Sequence, residues 1–137
     1  TNIDGVFACG NVLHVHDLVD YVSEEAAAAG ENAAKYVKGI LPANSEKEIK
    51  LVPTDGVRYT VPKTIDPERM TDELTVRFRV GNVYKNCFVS VYFDGERVVH
   101  RKRPVLAPGE MENVKFKKTQ LASYPDLKTI TLKIEEA

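Results

Sequence analysis

The chain has 137 residues, 43% of them apolar and 28% charged, with a formal net charge of −1. That is room for one domain, or for a small domain with an appendage. It excludes a disordered chain and a strongly basic nucleic-acid binder, and no apolar run approaches the roughly 18 residues of a membrane-spanning helix.

The sequence starts at Thr1 and runs directly into Ile3-Asp4-Gly5-Val6-Phe7-Ala8-Cys9-Gly10, which reads as the interior of a longer protein. Charge is unevenly spread. Residues 1–48 hold three basic and eight acidic side chains, and residues 49–137 hold sixteen and twelve. Such asymmetry points to two units of different character. Residues 6–9 are predicted to form a buried strand that ends in a loop at Gly10. Asp17 then precedes Leu18, Val22, Ala26, Ala29, Ala33 and Val37, a helical spacing that predicts a helix over 18–38 with Asp17 as N-cap. Asp20 stands where a capping-box acid would, and Gly39 and Pro42 supply the stop. The run Ala26-Ala27-Ala28-Ala29-Gly30 gives the helix a face of minimal side chains. It suits close approach to a sheet, a helix or a ligand, and equally an ordinary alanine-rich helix. One strand and one helix cannot close a core, so this segment must dock on the second unit, on another chain or on a missing remainder.

Residues 42–53 are polar and aperiodic and read as a linker. From Val57 the pattern alternates. Strands are predicted at 57–61, ending at Pro62, and at 74–80 with Leu74, Val76, Phe78 and Val80 on one face. Others are predicted at 89–93 with Val89, Val91 and Phe93 inward, at 97–100, at 114–117 and at 130–134. Asp94-Gly95 is a hairpin signal and Pro108-Gly109 another turn. Six or seven short strands with one apolar face predict a mainly β fold: an antiparallel immunoglobulin-like β-sandwich over 54–137. The absence of Trp and of a Cys-Trp-Cys pattern sets it apart from antibody domains.

Cys9 and Cys87 are too few for a disulfide framework, belong to no CxxC motif and read as small buried hydrophobes. His14 and His16 form an H-x-H pair that, on a strand, shares one face and suits a metal ion. The nearest further ligands are Asp17 and Asp20, no ligand cluster is evident, and no metal centre is expected. Arg101-Lys102-Arg103, with Lys115, Lys117 and Lys118, reads as a solvated strand face that discourages edge pairing, or as a surface for an acidic partner. No G-x-S-x-G, HExxH, P-loop or G-x-G-x-x-G occurs, so no catalytic residue is assigned.

The first eleven residues, Thr1-Asn2-Ile3-Asp4-Gly5-Val6-Phe7-Ala8-Cys9-Gly10-Asn11, resemble the second FAD-binding motif of the pyridine nucleotide–disulfide oxidoreductase superfamily. That motif runs T-x-x-x-G-(apolar)-(F/Y)-A-x-G-D, and only Asn11 departs from it. The helix that follows, with Glu24 and Glu25 ahead of its alanines, also fits. The branch it most resembles holds NAD(P)-linked FAD enzymes similar to anaerobic glycerol-3-phosphate dehydrogenases and sarcosine oxidase α-type proteins. The resemblance implies that residues 1–41 are the last strand and helix of a Rossmann-type FAD domain. Gly10 would then let the backbone approach FAD, and Asn11 would accept from a ribityl hydroxyl in place of the usual Asp. Backbone groups of Asp17, Leu18 and Val19 would face the flavin pyrimidine edge. The parent would be a cytoplasmic oxidoreductase using FAD and NAD(P), whereas this part alone would be inactive and would not retain FAD. Its partners would be the rest of the flavoprotein and, through the β-domain, a second copy or a partner subunit, with no nucleic acid and no membrane span. The alternative expectation is a non-enzymatic β-sandwich that docks to a partner subunit.

Overall fold

Backbone hydrogen bonding in the computed structural model, which describes Thr1 and residues 3–136, builds a mainly β protein whose chain divides into two units, Thr1–Ala43 and Asn44–Ala137. In the first unit, Cys9 is extended (φ −151°, ψ 164°) and leads into a short 3-10 turn, Gly10–Val12. The predicted strand at 6–9 is therefore extended backbone only. Among the described residues nothing pairs with it, and a strand exists only through its neighbour. Helix α1 spans Val19–Val37, close to the predicted 18–38. Its N-cap is Leu18, not Asp17: Leu18 holds extended angles (φ −126°, ψ 137°), so the helix starts one residue later, without a side-chain cap. The stop at Gly39 is as expected. At φ +69° its N–H donates to Tyr36 O (2.9 Å), and Ile40 N–H donates to Lys35 O (3.0 Å). This Schellman pair satisfies two terminal carbonyls.

Within the described residues nothing approaches Gly30 closely, since a Cβ there would meet no atom within 4 Å. No residue of α1 is buried. Tyr21, Val22, Glu25, Ala29, Asn32 and Ala33 form a half-buried stripe at helical spacing. Phe7 is also half-buried, edge-on to Tyr36 at 6.2 Å, but Val6, Leu18 and Val37 are exposed. Among the described residues, ten of the thirteen large exposed hydrophobics belong to this unit.

The second unit carries β1 (Ile49–Pro53), β2 (Val57–Val61), β3 (Thr64–Ile65), β4 (Glu73–Val80), β5 (Tyr84–Phe93), β6 (Glu96–Leu106), β7 (Glu112–Lys117), the short helix α2 (Lys118–Ala122) and β8 (Thr129–Glu136). One sheet has the order β3-β1-β8-β5-β6 and the other β2-β4-β7. All pairings are antiparallel except β1 with β8, where Leu51 lies opposite Ile130. The two sheets share one core: Val76, Phe78, Val89, Val91, Leu106, Phe116, Ile130 and Leu132 are all fully enclosed. Alternation made this legible. β8 buries Ile130, Leu132 and Ile134 and turns Thr131, Lys133 and Glu135 outward. Asp94 (φ 45°) and Gly95 (φ 95°) both take positive φ and form the predicted tight hairpin between β5 and β6.

Three elements differ from expectation. The stretch read as a linker, 42–53, contains β1. Its Ile49-Lys50-Leu51-Val52 alternation is short, closes on Pro53 and follows a charged run, so no period emerges from it. β3 has only two residues, and α2 interrupts a segment that showed no helical stripe. β6 is the long exposed edge of its sheet. It carries Arg97, His100, Arg101, Lys102, Arg103 and Pro104, a composition that opposes edge-to-edge pairing.

Candidate functional site

The H-x-H segment leaves the 3-10 turn and reaches the start of α1. Glu25, one and a half turns into that helix, lies on its half-buried stripe, three residues after Val22 and four before Ala29. Both imidazoles close on its carboxylate. His14 Nε2 lies 3.3 Å from Oε1 and His16 Nε2 lies 2.8 Å from Oε2. The two rings meet edge to face with centroids 4.4 Å apart. Their side chains are only 3% and 1% exposed, and that of Glu25 is 12% exposed. Gly10 N–H donates to Glu25 Oε2 at 3.0 Å, and His16 N–H donates to Asn11 Oδ1 at 3.3 Å. Burial pushes the Glu25 carboxyl up. The hydrogen bonds from His16, His14 and Gly10 outweigh that and leave it below its usual range.

Of the five residues expected to contact a cofactor, Gly10 and Asn11 border this cluster. Asp17, Leu18 and Val19 lie at the start of α1, with Leu18 and Val19 exposed. Gly10 has φ +69°, the left-handed region that glycine enters without strain. Its N–H is committed to Glu25. Asn11 keeps its amide NH2 and a second lone pair beyond the bond from His16. Neither Asp17 nor Asp20 joins the histidines; Glu25 does. Sequence reading missed Glu25 as a site residue. The available signal was a carboxylate on the apolar stripe of an amphipathic helix, a position that requires a partner.

A second polar cluster lies on the outer face of the five-stranded sheet. Ser90 Oγ donates to Glu135 Oε2 at 2.5 Å and stands 2.8 Å from His100 Nδ1. Tyr92 Oη donates to Glu135 Oε1 at 2.8 Å, and Lys133 Nζ is 2.9 Å from the same oxygen. Three residue types of a hydrolase triad are present, but not its arrangement. The Ser90 proton goes to the carboxylate, so Ser90 accepts from His100 Nδ1–H, and Ser90 itself is fully buried. The hydrogen bonds from Ser90, Lys133 and Tyr92 lower the Glu135 carboxyl from 4.5 to about 2. A lowered acid contributes stability that is complete above its unfolded value and is lost as pH falls through the folded one. Thermal melting of the wild type is therefore expected to weaken more steeply between about pH 4 and pH 2 than that of Glu135→Gln. Parallel pH profiles for the two proteins would refute this.

Cys9 and Cys87 are both free thiols, and burial pushes the Cys87 thiol up. Arg101 and Arg103 of the basic triplet both turn to Glu112, a buried acid on β7. No family model matches this chain, and no match is found among curated proteins or solved structures.

Proposed function

We propose that this chain is the C-terminal part of a FAD-dependent NAD(P)H oxidoreductase. On this reading residues 1–41 are a Rossmann-type remnant that supplies the second flavin-contacting motif, and residues 54–137 form an appended sandwich of immunoglobulin-like layering. The observation that carries the reading is the motif from Thr1 to Asn11 followed at the right distance by an alanine-rich helix. Two features of the first unit support it. Helix α1 begins without a side-chain cap, and its positive dipole end favours a partner with negative charge. Apolar residues of the first unit, Val12, Val15, Leu18, Val19 and Val37, are exposed, as they would be in a segment cut from a larger core.

In the whole enzyme the bound flavin would supply hydride transfer with NAD(P)H. Gly10 would admit the cofactor close to the backbone, and Asn11 would accept from a ribityl hydroxyl. The N–H groups of Asp17, Leu18 and Val19 would stabilise negative charge at the pyrimidine edge. The protein would work in the cytoplasm, where its two thiols stay reduced. Docking of an acidic partner on the basic strand has less support, since Arg101 and Arg103 are already engaged by Glu112.

The test is the reading frame upstream of Thr1 and the protein it encodes. A G-x-G-x-x-G segment and a purified product with a flavin absorbance spectrum are expected. In that product Asn11→Asp restores a charge-assisted bond and tightens FAD by about 1 kcal/mol. A longer product without flavin overturns the reading, and so does tight stoichiometric FAD binding by residues 1–137 alone.

A further inference from the structure

We infer that His14, His16 and Glu25 form a binding site for a divalent transition-metal ion of the zinc class. The inference goes beyond the flavoenzyme reading and does not depend on it.

One ligand atom from each of the three residues lies within 4.8 Å of the others. The two histidine-to-carboxylate distances are 3.3 and 2.8 Å. Ligands bound at about 2.1 Å to a tetrahedral zinc ion stand about 3.4 Å from one another; the His14 distance is close to that, and the His16 bond, which runs to the other carboxylate oxygen, must open by roughly half an ångström to admit the ion. Two imidazole nitrogens and one carboxylate oxygen suit Zn2+, Co2+ or Ni2+ and disfavour Mg2+ and Ca2+, which take oxygen ligands. Three protein ligands leave a fourth position for water or a further ligand.

The surroundings orient the set. The Gly10 N–H fixes the Glu25 carboxylate, and the bond from His16 N–H to Asn11 Oδ1 sets the loop that presents both rings. Both imidazoles are almost wholly shielded from water, and their contacts with one carboxylate bring them together. The metal takes the lone pair of each Nε2, so an imidazole that holds its proton there shifts it to Nδ1, and the Glu25 carboxylate remains as the anionic ligand.

His100, the third histidine of the chain, lies in the second unit beside Ser90 and Glu135 and serves as an internal control. Metal-free protein, residues 1–137 with no flavin added, is titrated with Zn2+ and followed by the ring resonances of all three histidines. His14 and His16 are expected to shift together and saturate at one ion per chain, with His100 unchanged. In a parallel titration Co2+ is expected to give visible absorption bands that equimolar Zn2+ abolishes and Mg2+ does not. His16→Ala and Glu25→Gln should each weaken Co2+ binding beyond the about 10–100-fold typical of losing an outer-sphere partner. The wild-type titration decides the matter even where a variant fails to fold. No shift, a shift of one histidine alone, or a shift led by His100 overturns the site. None of these results bears on the upstream reading frame, so the two proposals fail separately.

Discussion

Replacing Phe116 with alanine is expected to cost the β unit about 3–5 kcal/mol, the range for emptying a phenylalanine site in a closed core. Phe116 is fully buried on β7 and reaches across to Phe93 on β5, with ring centroids 5.9 Å apart. Phe93 in turn receives the edge of Tyr124 at 5.0 Å. These three rings join the three-stranded sheet, the five-stranded sheet and the turn after α2. The loss therefore removes the contact that holds the sheets together, not only buried area. A domain stable by about 5–15 kcal/mol loses a large share of that. Urea unfolding followed by far-ultraviolet circular dichroism measures it. Phe116→Leu keeps most of the volume and is expected to cost under about 1.5 kcal/mol. A Phe116→Ala loss below about 1 kcal/mol would mean that the sheets do not share a core.

Gly56→Ala carries the second large effect, roughly 2–4 kcal/mol, from two additive causes. Gly56 has φ +92° in the tight turn between β1 and β2, where Asp55 also has positive φ and Val57 N–H closes on Thr54 O at 3.1 Å. An L-residue there pays the left-handed conformational cost. Its Cβ would also stand 2.7 Å from Tyr84 Oη, 2.9 Å from Tyr84 Cζ and 3.2 Å from Ile134 Cβ. The turn cannot retreat, because Ile134 N–H donates to Asp55 O at 2.8 Å and Gly81 N–H to Gly56 O at 2.9 Å. Gly95 separates the two causes. It has φ +95° but a Cβ there meets nothing within 4 Å, so Gly95→Ala should show the conformational cost alone. In a Tyr84→Leu background the cost of Gly56→Ala should fall toward that of Gly95→Ala. An unchanged cost in that background would falsify the steric half of the explanation.

The β unit was legible wherever one face of a strand is buried and the other wet, because period two then writes itself into the residues. That held for β7 and β8; in β4 and β5 the apolar face alternates in the residues although Arg77 and Ser90 on the other face are also buried, and Asp94-Gly95 added the turn. It failed for β1, which is five residues long and ends on a proline, and for the two-residue β3. The pairing of β1 with β8 was beyond reach altogether. Alternation says which face a strand buries but not which neighbour it takes. In the first unit the helix and its Gly39 stop were readable from spacing and terminal chemistry. The cap was not, since Leu18 is no capping residue and holds the position through its backbone angles. The candidate site was half visible. The spacing of His14 and His16 offered two ligands, but the third lies nine residues beyond His16, on a helix. Only the geometry of the turn shows that the helical stripe brings Glu25 under both rings.

The position of β8 also bears on how this protein is made. β8 lies between β1 and β5, so the five-stranded sheet lacks its middle until residues 129–136 have been synthesised. Every strand from β1 to β7 leaves the ribosome before the one that joins them. Until then β5 has one unsatisfied edge, and β1 holds only the two-residue β3. Closing that sheet late means closing a long loop, the kind of step that slows folding and leaves strand edges open to other chains. A nascent chain arrested before Thr129 is thus expected to be protease-sensitive and prone to aggregate, although it already contains seven of the eight strands found among the described residues.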